Sequence, residues 1–219
     1  MTYEVIFFDL DDTLYPSTSG LWDAIGDRIT LYMTERLLIP PEEVVHRRDH
    51  YFHSFGTTLN GLRREYHVNP QDYMDFVHQL PLEQYLQADP ALESMLSALP
   101  QRKHILTNSD TAHTLRVLDR LGVRQHFLTI IDIYALGFVN KPEPEAYRIA
   151  LRLAGDPPSE ACVLVEDSLR NIQPAHELGM TTVYVGRQPP NGNVDVALGR
   201  VTEMCKAMPA LDCLGARVE

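Results

Sequence analysis

Short apolar runs recur along the chain in a form that predicts buried strands: Tyr3–Asp9, Arg102–Thr107, Leu128–Ile133, Ala161–Val165 and Thr181–Val185. Each is rich in Val, Ile, Phe or Leu, and none alternates apolar with polar residues as a half-exposed strand does. Continuous runs are what a parallel sheet covered on both faces requires. Segments with helical spacing lie between the later runs. Ser109–Leu121 sets Ala112, Leu115, Leu118 and Leu121 on one face, with Ser109 or Asp110 to cap its start and Gly122 to stop it. Pro144–Ala154 stops at Gly155, and Asn171–Leu178 stops at Gly179, with Pro174 tolerated as part of a first turn. Strand and helix alternate from about residue 91 onward, the signature of a doubly wound α/β core.

A different pattern fills the gap between the first and second runs. Residues 16–88 read as helices throughout. Leu21, Trp22, Ile25, Ile29, Met33 and Leu37 make one apolar stripe, a second helix runs from Pro41 towards His53, and two more cover Leu59–Tyr66 and Pro70–Leu80. A helical insert placed after the first strand sits over the C-terminal edge of the sheet, where open α/β sheets bind ligands. The division expected is therefore a core of residues 1–15 and 89–219 with a helical cap of residues 16–88. Gln188–Asn193 reads as a flexible loop.

Composition narrows the function. The chain has 219 residues, 44% of them apolar, and a formal charge of −11. That apolar share excludes disorder as the main state, and no run is long enough to span a membrane. The acidic balance argues against a nucleic-acid polymer as partner. Cys162, Cys205 and Cys213 form no metal-binding spacing and read as buried thiols in a reducing compartment. With no basic leader in the N-terminal stretch, a cytoplasmic location is expected. The nine histidines are scattered along the sequence and suggest no zinc site.

The candidate chemistry sits where the strands end. Asp9, Asp11 and Asp12 follow directly on an apolar strand, which is costly unless a cation is present. Two residues apart, Asp9 and Asp11 point the same way for as long as the strand persists. One suits nucleophilic attack and the other proton transfer. An acidic turn is the plain alternative; a calcium loop fails because its sixth position is Leu14 and its twelfth Gly20. Thr107-Asn108-Ser109, Lys141 in a proline-stiffened loop, and Glu166-Asp167 close or follow further strands. Singly these read as an N-cap, a surface lysine and another helix cap. Together, on converging strand ends, they make a magnesium and phosphoryl site.

The set Asp9-Leu10-Asp11-Asp12-Thr13, Thr107, Lys141 and Glu166-Asp167 resembles, in order, the four motifs of the haloacid dehalogenase-like (HAD) superfamily. The resemblance implies an α/β fold, a Rossmann-like parallel sheet core with an inserted all-helical C1 cap. Within the superfamily, FFDLDDTLYP and the stretch TLNGLRREYHVNPQDYMDFVHQLPLEQYLQADPAL are similar to the pyrimidine 5′-nucleotidase group. What this implies is a hydrolase using Mg²⁺ and an aspartyl-phosphate. Asp9 is then the nucleophile and Asp11 the acid and base. Asp9, the Asp11 carbonyl and Asp167 hold the metal with Glu166 close by, while Thr107, the Asn108 backbone N–H and Lys141 bind phosphate. Asn171 stands where many relatives carry a second acid. In the cap, Phe55 and Arg63 are the specificity candidates, among aromatic and basic neighbours that also read as packing or solvated helix faces. The implied substrate is a small phosphomonoester and the chain a monomer or homodimer. A phosphosugar phosphatase, a phosphomutase, and a receiver-like phospho-aspartate signalling domain share parts of the pattern. A dehalogenase has no need of the proton donor Asp11.

Overall fold

The computed structural model describes residues 2–186 and 194–214. Gln188–Asn193, read as a loop, lies outside the described residues. One sheet contains β1 (Val5–Phe8), β2 (Arg102–Leu106), β3 (Thr129–Ile131), β4 (Cys162–Glu166), β5 (Thr181–Val185) and β6 (Val196–Leu198), in the order β3-β2-β1-β4-β5-β6. Every neighbouring pair is parallel. Val5 pairs with both Arg102 and Cys162, so the three central strands start level and their C-terminal ends come together. The chain leaves β1 to either side, which makes its C-terminal end the switch point of the sheet.

Both faces of the sheet are covered, as the apolar runs predict. Ile6 and Phe8 of β1 face one buried cluster, shared with residues of the helical insert, and Val5 and Phe7 face another built on Tyr147, Ala146 and Ala150. Three strands, β1, β2 and β3, are shorter than the apolar runs that announce them. β1 stops at Phe8 and a turn begins at Asp11, so the alternation expected to aim Asp9 and Asp11 alike does not extend to Asp11. β6, only three residues long, was not foreseen.

Between β1 and β2 run α1 (Leu21–Leu31), α2 (Pro41–Phe55), α3 (Thr58–Tyr66) and α4 (Pro70–Val77), then α5 (Pro90–Ala98). A π-helical turn over Tyr32–Arg36 prolongs α1. Of the predicted stripe, Leu21, Ile25, Ile29 and Met33 are buried, but Trp22 is half exposed and faces away from the packed side. Close approach of α2 and α3 needs Gly61, because a Cβ there would meet the Tyr51 ring at 2.2 Å.

The remaining helices are α6 (Thr111–Leu121), α7 (Pro144–Leu153), α8 (Leu169–Glu177) and the single turn α9 (Met204–Ala207). Asp110 caps α6 by accepting from the His113 N–H, and Gly122 ends it in the left-handed region. The buried face of α6 is His113, Thr114, Val117, Leu118 and Leu121, displaced from the predicted one; Ala112 is exposed. α8 begins at Leu169, earlier than expected, so Pro174 sits inside it and not in its first turn. The cysteine reading also needs correction. Cys162 is a buried free thiol, but Cys205 and Cys213, with Cα atoms 5.8 Å apart, are joined as a disulfide. No helix among the described residues is long and apolar enough to cross a membrane.

Candidate active site

Lys141 organises the sheet edge. Its side chain is 1% exposed, and its Nζ donates to Asp9 Oδ1 at 2.6 Å and to Glu166 Oε2 at 2.7 Å. Burial works to lower its pKa, but the two carboxylates outweigh that and hold it well above the ordinary lysine value. The loop carrying it is stapled to the end of β2 by the Asn108 side chain, which donates to the Lys141 carbonyl at 2.9 Å and accepts from the Lys141 N–H at 2.8 Å. Asn108 was expected to offer only its backbone N–H; the side-chain role was missed.

Asp9 is gripped from its other oxygen as well, since the Thr13 hydroxyl donates to Oδ2 at 3.1 Å. Thr107, 2% exposed, accepts from the Ser109 N–H at 3.0 Å, which leaves its hydroxyl proton to donate. Glu166 spends its second oxygen on the N–H groups of Asp167 and Ser168, both at 3.2 Å. Ser168 heads α8 without a side-chain cap bond, so the acidic pair is not explained as a helix cap. Asn171, in the first turn of α8, accepts the Tyr147 hydroxyl through its backbone carbonyl.

The edge carries more negative charge than Lys141 can match. One ligand oxygen from each of Asp9, Glu166 and Asp167 lies within 4.8 Å of the others. Burial and the nearby Glu166 push Asp9 up to about 7 and Asp167 up to about 10. Among the described residues no cation lies within ion-pair reach of Asp167. Three hard oxygen donors facing a single ammonium group are a set a divalent oxygen-seeking ion fits.

Asp11 turns away from Lys141. Its Oδ1 accepts from the Tyr15 hydroxyl at 2.6 Å and meets His113 Nε2 at 3.1 Å. Burial works against its charge, but His113 and Tyr15 prevail and hold its carboxyl below the usual range. His113 stacks on His78, from the end of α4, with ring centroids 4.0 Å apart. The histidines scattered in sequence thus meet in space, where sequence spacing gives no sign of it.

The helical insert reaches the same edge through α3. Asn60, buried, donates to the Phe138 carbonyl at 3.0 Å and also to the Asn140 side chain, just before Lys141. Gly56, with φ +82°, lets Asn140 in where any Cβ would collide with it. Arg63 stacks its guanidinium 3.6 Å from the Phe138 ring centre and donates to Asn60 Oδ1 at 3.1 Å. Phe55 packs among the rings of His50 and Tyr51, under the Arg64 guanidinium. Sequence reasoning singled out Arg63 and Phe55 but not Asn60.

Against known families, the model for haloacid dehalogenase-like hydrolases matches residues 3–179. The chain belongs to this family. It is a HAD-like hydrolase, and members of the family usually use a divalent metal. Among solved structures it is similar to the HAD-hydrolase YfnB from Bacillus subtilis, in a magnesium-bound form, with 18% identity and a TM-score of 0.66 over 95% of this chain and 100% of that one. It is similar to a HAD phosphatase from Thermococcus onnurineus at 20% identity and a TM-score of 0.65, covering 94% and 98%. It is also similar to an L-2-haloacid dehalogenase from Xanthobacter autotrophicus with chloropropionic acid covalently bound, at 14% identity and 0.60, covering 95% and 99%. These likenesses extend the shared HAD fold over nearly the whole chain.

Proposed function

We propose that the chain is a Mg²⁺-dependent phosphomonoesterase acting on pyrimidine nucleoside 5′-monophosphates, with residues 16–88 as the cap that selects them. The observation that carries this reading is the separation of two differently held carboxylates, Asp9 on Lys141 and Thr13, and Asp11 on Tyr15 and His113. Phosphoryl transfer is mainly positioning and charge neutralisation, and it needs a nucleophile beside a separate proton carrier. Carbon–halogen cleavage has no use for the second.

Asp9 attacks phosphorus, and the bond to the ester oxygen breaks with its electron pair going to that oxygen. Asp11, protonated on its second oxygen once the phosphate dianion sits beside it, gives that proton to the departing oxygen and becomes the carboxylate that His113 and Tyr15 hold. A water then attacks the aspartyl-phosphate, gives its proton to Asp11, and returns the electron pair to Asp9. Thr107, the Asn108 N–H and Lys141 take the phosphoryl oxygens. Asp9, Asp167 and the Asp11 carbonyl, with Glu166 alongside, are the residues to hold Mg²⁺, which supplies neutralising charge to the phosphoryl group when bound. The magnesium-bound state of YfnB supports this choice of ion, and the interdomain movement described for YfnB supports a cap that opens. The pyrimidine preference rests on the resemblance of the cap sequence and on Asn60 and Arg63 reaching the Lys141 loop.

A panel of nucleoside monophosphates, sugar phosphates and 2-chloropropionate, assayed with Mg²⁺ and with EDTA, tests the reading. Phosphate release from the nucleotides, lost with EDTA, is expected. Asp9→Asn lowers that turnover by at least about 10³-fold while the chain still folds and unfolds cooperatively. Chloride release in place of phosphate release overturns the assignment.

A further inference from the structure

His113 and His78 take no part in the steps above, yet they are built around Asp11. Whether Asp11 is ionised or carries its proton on Oδ2, its Oδ1 only accepts, so His113 presents Nε2–H to Oδ1, the same oxygen that Tyr15 holds. Two donors on one oxygen fix both side-chain torsions of Asp11 and leave its second oxygen for substrate. His113 is 1% exposed and lies nearly flat on His78, with 18° between the rings. His78 is itself pinned. Its Nε2 meets Ser109 Oγ at 3.2 Å, and its Nδ1 lies 2.9 Å from Asp110 Oδ1, though poorly aligned for a hydrogen bond. Arg116 of α6 donates to the His78 carbonyl at 2.7 Å and to the Leu80 carbonyl at 2.6 Å. A cavity of about 450 Å³ borders both rings, lined also by Arg36, Asp110 and Arg116. With that space beside the pair, His78 is the flat surface against which the His113 ring rests.

We propose that His113, braced by the cap residue His78, is a positioning residue that holds Asp11 in the one orientation able to protonate the leaving oxygen. The role rests on the phosphomonoesterase reading. A proton donor acts only within hydrogen-bond reach of its target, so a carboxylate free to rotate loses most of its effect. The loss falls on esters whose leaving oxygen needs that proton. An alkoxide such as a nucleoside 5′-oxygen needs it; p-nitrophenolate departs without it.

The test compares kcat/KM for uridine 5′-monophosphate and p-nitrophenyl phosphate in the full chain with Mg²⁺. kcat/KM reports the steps up to leaving-group departure, so it isolates the first proton transfer. His113→Leu is expected to lower the value on the order of 100-fold for the nucleotide and by less than about 3-fold for the aryl ester. His113→Gln, which keeps an N–H donor, recovers about 10-fold of the nucleotide loss. Because Asp11 also serves as base in the second step, His113→Leu should release about one equivalent of p-nitrophenolate in a burst before slow turnover. Should His113→Leu fail to fold, Tyr15→Phe, which deletes only the other donor to the same oxygen, carries the same contrast. Equal losses on both esters, or none, overturn the positioning role while leaving the phosphatase reading standing. A wild-type chain inert on both esters overturns both.

Discussion

The sheet edge and the helical insert hold their polar groups in different ways. At the edge Lys141, Asp9 and Glu166 answer to one another through buried, charge-assisted bonds: Lys141 to Asp9 and Glu166, and Glu166 to two backbone N–H groups. The insert meets that edge mostly with neutral or partly exposed contacts: Asn60 on the Phe138 carbonyl, Arg63 over the Phe138 ring, and Arg170 of α8 donating to the Phe52 carbonyl at 2.7 Å. A neutral hydrogen bond exchanged for water costs only about 0.5–1.5 kcal/mol, whereas removing one partner of a buried ion pair costs about 3–5 kcal/mol. The edge is therefore built not to rearrange, and the insert is attached by bonds that water can replace.

Lys141→Met puts the strongest stress on that contrast. It leaves Asp9 and Glu166 buried without their cation, so the loss is expected to be about 3–5 kcal/mol in chemical denaturation, with phosphate release reduced to background. Added Mg²⁺ should recover part of the stability but not the turnover. A variant as stable as the parent would show that the edge is not held by charge.

Metal removal probes the same edge through pH. Asp9 at about 7 and Asp167 at about 10 both lie above the 3.8 of a free aspartate, so the metal-free folded chain binds more protons than the unfolded one between those values. Their contribution is fully present below about pH 4 and is lost as pH rises through 7 and on towards 10. His78, driven down mainly by burial, slopes the opposite way near its ordinary 6.5, and Asp11 and Asp110 act only below 3.8. Comparing EDTA-treated with Mg²⁺-loaded protein cancels these common contributions. The thermal transition of the stripped protein should fall more steeply between about pH 5 and pH 8 than that of the loaded one. Parallel slopes would remove Asp9 and Asp167 from the ion site.

Most of the sheet was legible because strands buried on both faces leave unbroken apolar runs, and Thr181–Val185 has the very bounds its run predicts. β6 was not, since three residues carry no pattern. The acids, Lys141 and Thr107 were legible as residues that do not belong at the ends of apolar strands. Their orientation was less so. Asp11 was aimed by a strand periodicity that ends at Phe8, and it points instead to His113. His78 and His113, like Cys205 and Cys213, come together only through tertiary packing, and Asn108 and Asn60 act through side chains whose partners lie far along the chain.

The smallest effects are expected within the insert, where Arg63 and Phe55 looked alike in sequence. Arg63 stacks on Phe138, three residues before Lys141, and is partly exposed. Phe55 is packed among the rings of His50 and Tyr51 and, among the described residues, makes no contact of this kind. Arg63→Met should raise KM for nucleoside monophosphates several-fold with kcat and the thermal transition nearly unchanged, the mark of lost uniform binding. Phe55→Leu should lower stability by about 1 kcal/mol and leave KM unchanged. Side-by-side kinetics and denaturation of the two variants decide the matter, because a KM effect from Phe55→Leu, or none from Arg63→Met, would move substrate selection away from the α3 face that meets the Lys141 loop.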